Sequence, residues 1–218
     1  KYPKAFLGAV DKVKKKEPSL VALKSARDKL RIIEYTENES KVSEQEYQWT
    51  NSEGQTIRMN ILTGNFKIFS SFLSEQPQPL GEAGARKDRA YELVIRFLES
   101  LDLETENLEK DASTLTYLKV ENGTLTKVQS QNEANFARLD LFQKKFGNHK
   151  IYYPGFTESP TYFIIKGDNN LPSIVDASFS HSIADLSNPS TYPIKTAEAA
   201  FEDLERGKRI DAVLNNFI

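Results

Sequence analysis

The chain has 218 residues, 39% hydrophobic and 28% charged, the balance of a folded protein rather than a disordered one. Its 29 lysines and arginines against 31 aspartates and glutamates leave a formal net charge of −2, which gives no overall drive toward nucleic acid. The absence of cysteine excludes disulfides, thiolate metal sites and a cysteine nucleophile, and no run approaches the ~20 apolar residues of a membrane span.

The dense basic run Lys12, Lys14, Lys15 and Lys16 carries no interleaved aromatic side chains and reads as a solvated face. Pro18-Ser19 ahead of Leu20, Leu23, Ala26 and Leu30 predicts a capped helix, because the apolar residues recur at helical spacing. The period then drops to two. Strands are expected at Ile32-Ile33-Glu34-Tyr35, at Tyr47-Gln48-Trp49, and where Ile57, Met59 and Ile61 share a face. Thr63-Gly64-Asn65 predicts a tight hairpin into Phe66-Lys67-Ile68-Phe69.

Gln76-Pro77-Gln78-Pro79-Leu80-Gly81 is expected to be a linker or crossover, since its prolines disfavour both helix and central strand. A helix follows to Leu101, with Ala90, Val94, Phe97, Leu98 and Leu101 in one apolar stripe. Glu104, Glu106, Glu109 and Asp111 read as an acidic, solvated linker. Asn122-Gly123 marks a second hairpin over residues 114–128. Further strands are expected at 136–142, at Ile151-Tyr152-Tyr153, at Tyr162-Phe163-Ile164-Ile165 and at 174–179. Thr196 then caps a short helix carrying Ala197, Ala200, Phe201 and Leu204, which Gly207 is placed to end.

These elements predict an α+β protein of antiparallel sheet meanders, each packed by an amphipathic helix, in the order of a tandem duplication. The expected spans are 1–76 (helix plus meander), 77–190 (second helix plus meander) and 191–218 (C-terminal helix and the start of a further element). Lys1-Tyr2-Pro3, with no initiating methionine, and the apolar Ile210-Asp211-Ala212-Val213-Leu214 are expected to be cut ends of a longer protein.

Chemistry-bearing patterns are few. His149 has no histidine or acid at helical ligand spacing and His181 has only Asp185, four residues on; a metal site needs several converging ligands, so none is expected. Asp176, Ser178, Ser180 and His181 supply the residue types of a catalytic triad. In a strand, however, Asp176, Ser178 and Ser180 face one way and His181 the other, and no nucleophile elbow surrounds the serines. Asp168-Asn169-Asn170 is too short for a calcium loop and reads as a turn. No glycine-rich phosphate loop occurs, so no catalytic or cofactor-binding residue is expected. Asn38-Glu39-Ser40 and Asn122-Gly123-Thr124 match the glycosylation acceptor pattern, which acts only in a eukaryotic secretory route. The aromatic-rich stretch Tyr152, Tyr153, Phe156, Tyr162 and Phe163 is the candidate contact surface, with Tyr152, Tyr153, Phe156 and Tyr162 as its binding residues. The alternative is that alternate rings pack into the core of the sheet.

Tyr47-Gln48-Trp49-Thr50-Asn51, Asn60-Ile61-Leu62-Thr63-Gly64-Asn65-Phe66 and Tyr192-Pro193-Ile194-Lys195-Thr196-Ala197-Glu198-Ala199-Ala200-Phe201 together carry a family resemblance. The chain resembles membrane-anchored bacterial proteins of the PepSY and YycH/YycI type, regulators of two-component sensor kinases. Ala199 departs from the second acid expected there, and Phe201 stands where tryptophan is frequent. The resemblance implies an extracytoplasmic domain tethered by an N-terminal helix and working through protein contacts, and it brings no catalytic residues. The expected function is therefore a non-catalytic interaction or regulatory domain with a protein partner in the cell envelope. It would take no nucleic acid and touch the membrane only through an anchor outside these residues. The alternatives are a small-ligand or peptide-binding module on an aromatic-lined sheet, and a hydrolase built from scattered acids or from the 176–181 segment. Oligomeric state stays open.

Overall fold

The computed structural model describes residues 19–74, 78–81, 86–145, 159–167 and 173–181. Tyr152, Tyr153, Phe156, His149, the 168–170 turn, the 12–16 basic run and the helix expected from Thr196 lie outside these residues. Helix α1 (Leu20–Ile32) begins as its sequence requires. Ser19 Oγ accepts from the Ala22 N–H at 3.1 Å, and Leu23, Ala26 and Leu30 form the buried stripe. Helix α2 (Lys87–Ser100) buries Ala90, Val94 and Leu98.

Both helices end in the same way. After α1, Glu34 takes a φ of 64°, and the N–H groups of Glu34 and Tyr35 donate to the carbonyls of Arg31 and Leu30 at 3.3 and 3.1 Å. After α2, Asp102 takes a φ of 52°, and Asp102 and Leu103 donate to Glu99 and Leu98 at 2.8 and 3.1 Å. This is the Schellman closure, with an acidic residue where glycine is usual. Ile32-Ile33-Glu34-Tyr35 is thus a helix terminus and not the predicted strand, because Leu30 and Tyr35 are both core residues and only the left-handed turn lets both face inward. Glycine at position 34 removes the strain of a side chain at positive φ. Glu34→Gly is therefore expected to raise stability by about 0.5–1 kcal/mol. Urea denaturation checks this, and a loss of stability would show that the exposed glutamate has an unrecognised role.

The strands are β1 (Glu37–Lys41), β2 (Glu46–Thr50), β3 (Thr56–Asn60), β4 (Phe66–Phe69), β5 (Leu108–Glu121), β6 (Thr124–Val128), β7 (Phe136–Gln143), β8 (Thr161–Lys166) and β9 (Ser173–Phe179). They form one nine-stranded sheet in the order β1-β2-β3-β4-β9-β8-β7-β5-β6, and every pairing is antiparallel. The two predicted helix-plus-meander spans meet where β4 pairs with β9. Their connections differ: β1 to β4 follow chain order, whereas β7 returns to the far side of β5 from β6. The acidic stretch expected as linker runs into β5, where Glu109 pairs with Phe142 before the register shifts. The hairpin at Asn122-Gly123 is as predicted, with φ of 52° and 75° at the two turn residues.

Strand β1 carries no buried side chain, and polar partners hold it. Glu39 accepts from Trp49 Nε1 at 2.8 Å and from Arg27 Nε at 2.6 Å, and Asn38 Nδ2 donates to Thr50 Oγ1 at 2.8 Å. The Arg27 guanidinium holds the Glu39 carboxyl below the usual carboxylate range.

The main core lies between the two helices and one face of the sheet. At its centre, the Phe66 ring stacks on Phe179 at 5.4 Å and meets Phe97 and Phe163 edge-on at 6.0 and 6.3 Å. On the other face, Phe72 of a short 3-10 turn (Phe72–Ser74) sets its ring edge-on against Phe136, 5.0 Å away, beside Leu118, Ile164 and Val175. The expected crossover is packed rather than loose. Leu80 is buried with Ala134 and Ala137, and its N–H donates to the Ala134 carbonyl at 2.8 Å. No helix among the described residues is long and apolar enough to cross a membrane.

Candidate functional site

Strand alternation sends most apolar residues of β2, β3, β4, β8 and β9 to the helices, and the far face carries polar residues beside the smaller apolar cluster of Phe72, Phe136, Ile164 and Val175. Register then lines those polar residues up. Gln48 pairs with Arg58, Arg58 with Lys67, Lys67 with Ser178, Ser178 with Tyr162, and Tyr162 with Asp140, so one rank runs across six strands. A second rank contains Thr56 and Phe69, which pair with each other, together with Asp176 and Arg138, which both pair with Ile164.

Charge is distributed unevenly along these ranks. On the β7–β9 side, Arg138 Nε and Nη2 donate to Asp140 Oδ1 at 3.1 and 3.0 Å, and the guanidinium lies 4.2 Å from the Tyr162 ring centre. The Tyr162 hydroxyl donates to the Asp176 carboxylate. Burial pushes the Asp176 carboxyl above its ordinary value, while that hydrogen bond, Arg138 and Lys67 pull it back. On the β3–β4 side two cations stand directly opposite each other, Arg58 and Lys67. Like charges so placed destabilise a sheet by an amount on the order of 1 kcal/mol or less. Arg58 Nε is buried without a hydrogen-bond partner, and its guanidinium lies 5.9 Å from the centre of the Phe69 ring. Phe69 is 42% exposed, one of the large apolar side chains left at the surface.

Tyr162 is the predicted contact residue that falls within the described chain. It is half-buried among polar partners rather than splayed on a loop. Phe163 beside it is wholly buried in the helix-side core. Arg58, Lys67, Phe69, Arg138 and Asp140 were not singled out from sequence. The signal was nevertheless present: in Ile57-Arg58-Met59 and Phe66-Lys67-Ile68 a cation alternates with core residues, and the tight turn between them sets the register that makes them neighbours.

Asp176 and His181 lie on opposite sides of the sheet, as alternation predicts. The His181 ring stacks on Phe179 at 5.7 Å, and Phe179 belongs to the helix-side core. Ser180 is tied to Thr161, whose hydroxyl accepts from the Ser180 N–H at 3.2 Å and donates to its carbonyl at 2.8 Å. Both ring nitrogens of His181 are buried without a partner. Burial lowers its pKa below the ordinary 6.5, and the facing Glu104 offsets part of that effect. As the pH falls, the unfolded chain therefore takes up this proton first. The stability held by the neutral ring is whole above about pH 6.5 and is lost as the pH drops through the folded-state pKa. His181→Phe keeps the ring contact with Phe179 and is expected to flatten this part of the pH dependence. Denaturation midpoints measured from about pH 8 to about pH 5.5 check it, above the range where ordinary carboxylates titrate. Equal slopes in the two proteins would refute the assignment.

A cleft of about 410 Å³ opens on the helix side, between Ile33, Leu93, Phe97 and Ile174, with Arg96 among its lining residues. Its polar end is internally satisfied. The Tyr35 hydroxyl and Asn51 Nδ2 donate to Gln55 Oε1 at 2.9 and 3.2 Å, and Gln55 Nε2 donates to the Ile174 carbonyl at 3.4 Å. Burial raises the Tyr35 phenol above its ordinary value. Among the described residues no three histidines or acids converge as a metal site.

The fold and this site together define an α+β domain with one helix-covered face and one face that joins a rank of polar side chains to a smaller apolar cluster. No family model, curated protein or solved structure matches the chain.

Proposed function

We propose that the chain is a non-catalytic interaction domain that works outside the cytoplasm, on a membrane-tethered protein of the cell envelope, by binding a protein partner. The single observation that carries the reading is the far face of the first meander. Its charged and apolar side chains stand side by side on one antiparallel face, a combination suited to contact with another polypeptide. The extracytoplasmic setting rests on the sequence resemblance alone. Cross-linking of the full-length protein in native membranes tests the reading. One envelope protein recovered in fixed ratio is the expected result, and recovery of none counts against it.

The helix-side cleft favours a second reading, a small-ligand module, because Leu93, Phe97 and Ile174 offer an apolar floor beside a cation. It predicts that Leu93→Trp, which fills the cleft, abolishes ligand-induced stabilisation while the cross-linked partner is retained.

A further inference from the structure

Building on the reading as an interaction domain, we propose that Arg58, Lys67 and Phe69 form a docking patch for a peptide segment that carries a carboxylate next to an apolar side chain. Arg58 and Lys67 face each other across β3 and β4, and neither joins an ion pair among the described residues. Asp176 lies within electrostatic reach of Lys67 but forms no ion pair with it, and is already hydrogen-bonded to Tyr162. Two opposed cations with no ion-pair partner repel each other in the free protein, and an incoming carboxylate relieves that repulsion. The exposed Lys67 ammonium, opposite Arg58, is the group such a carboxylate meets first.

Phe69 narrows the class of partner. A free inorganic anion would engage the cations and leave the ring untouched, whereas a peptide places an apolar side chain on it. Nucleic acid needs a longer basic stripe than two side chains, on a protein whose formal net charge is −2. Gln48, Thr56 and Ser178 flank the patch in register and supply amide and hydroxyl groups for a peptide backbone.

The test is selection of a random dodecapeptide display library on the full chain. Enriched sequences are expected to hold aspartate or glutamate beside an apolar residue, and raised salt should weaken their binding. Lys67→Gln and Phe69→Ser are each expected to weaken that binding about tenfold. Both positions are exposed, so these variants keep the fold, which their unfolding curves verify. Lys67→Glu should in turn accept peptides with lysine in place of the acid. Enrichment of peptides without acids, binding indifferent to both substitutions, or capture of anionic phospholipid vesicles in preference to peptides overturns the patch while leaving the wider reading to the cross-linking result. Failure to enrich any peptide overturns the patch as well, and loss of the cross-linked partner at the same time removes the interaction reading itself.

Discussion

Phe163→Ala is expected to cost about 3–5 kcal/mol of folding free energy, against total stabilities of about 5–15 kcal/mol for domains in general. Phe163 is 0% exposed, and its ring meets Phe66 of β4 and Phe97 of α2 edge-on, both at 6.3 Å between centres. Phe66 in turn stacks on Phe179 of β9. These four rings join three strands from both halves of the chain to the second helix. Truncating the one on β8 leaves a cavity that neighbours on three different elements cannot close together. Phe163→Leu keeps most of the apolar volume and is expected to lose less than about 1.5 kcal/mol. Urea midpoints with unchanged m-values check both. A loss below about 1 kcal/mol for the alanine variant would mean that the two halves do not share this core.

The same cluster shows why strands were legible from sequence and their order was not. Ile57 and Met59, Phe66 and Ile68, and Phe163 and Ile165 alternate in the chain as they alternate in space, so each strand announces its buried face. Nothing local announces that β9 lies between β4 and β8, because Phe66↔Phe179 joins residues far apart in sequence. Strand β1 escaped notice for the opposite reason: Glu37–Lys41 contains no apolar residue, and it exists because Glu39 finds Arg27 and Trp49. The end of α1 was misread because Ile32, Ile33 and Tyr35 look like a β-branched and aromatic run. The matching Leu101-Asp102-Leu103 after α2 shows that an acid in the left-handed conformation ends both helices.

The candidate site was legible only in Tyr162, an aromatic residue that draws attention by type. Arg58 and Lys67 are ordinary surface residues until register sets them opposite each other. That follows from the hairpin turn, where Asn60 N–H donates to the Asn65 carbonyl at 2.8 Å and Gly64 takes a φ of 75°. The site thus depends on the fold at one remove, since a one-residue slip at this turn would part the two cations and turn one of them to the helix face.

Gly167→Ala is expected to cost about 1–3 kcal/mol, toward the upper end, for a steric reason and not a conformational one. A Cβ built at Gly167 would meet Gly81 N at 2.4 Å, Leu80 Cα at 2.7 Å and Pro79 O at 2.9 Å. All three are backbone atoms, so no side chain can swing aside, and the crossover must lift off the end of β8. Lifting it withdraws Leu80 from Ala134 and Ala137 and breaks the Leu80 N–H to Ala134 carbonyl bond. Gly54→Ala is the control. Gly54 has a φ of 77° and nothing within 4 Å of the added Cβ, so it bears only the backbone strain of about 1 kcal/mol and leaves the crossover seated. Amide hydrogen exchange separates the two. In Gly167→Ala the Leu80 amide should exchange faster than the global loss of stability explains, whereas in Gly54→Ala it should follow the global change alone. Native protection at Leu80 in Gly167→Ala would show that the crossover does not rest on this glycine.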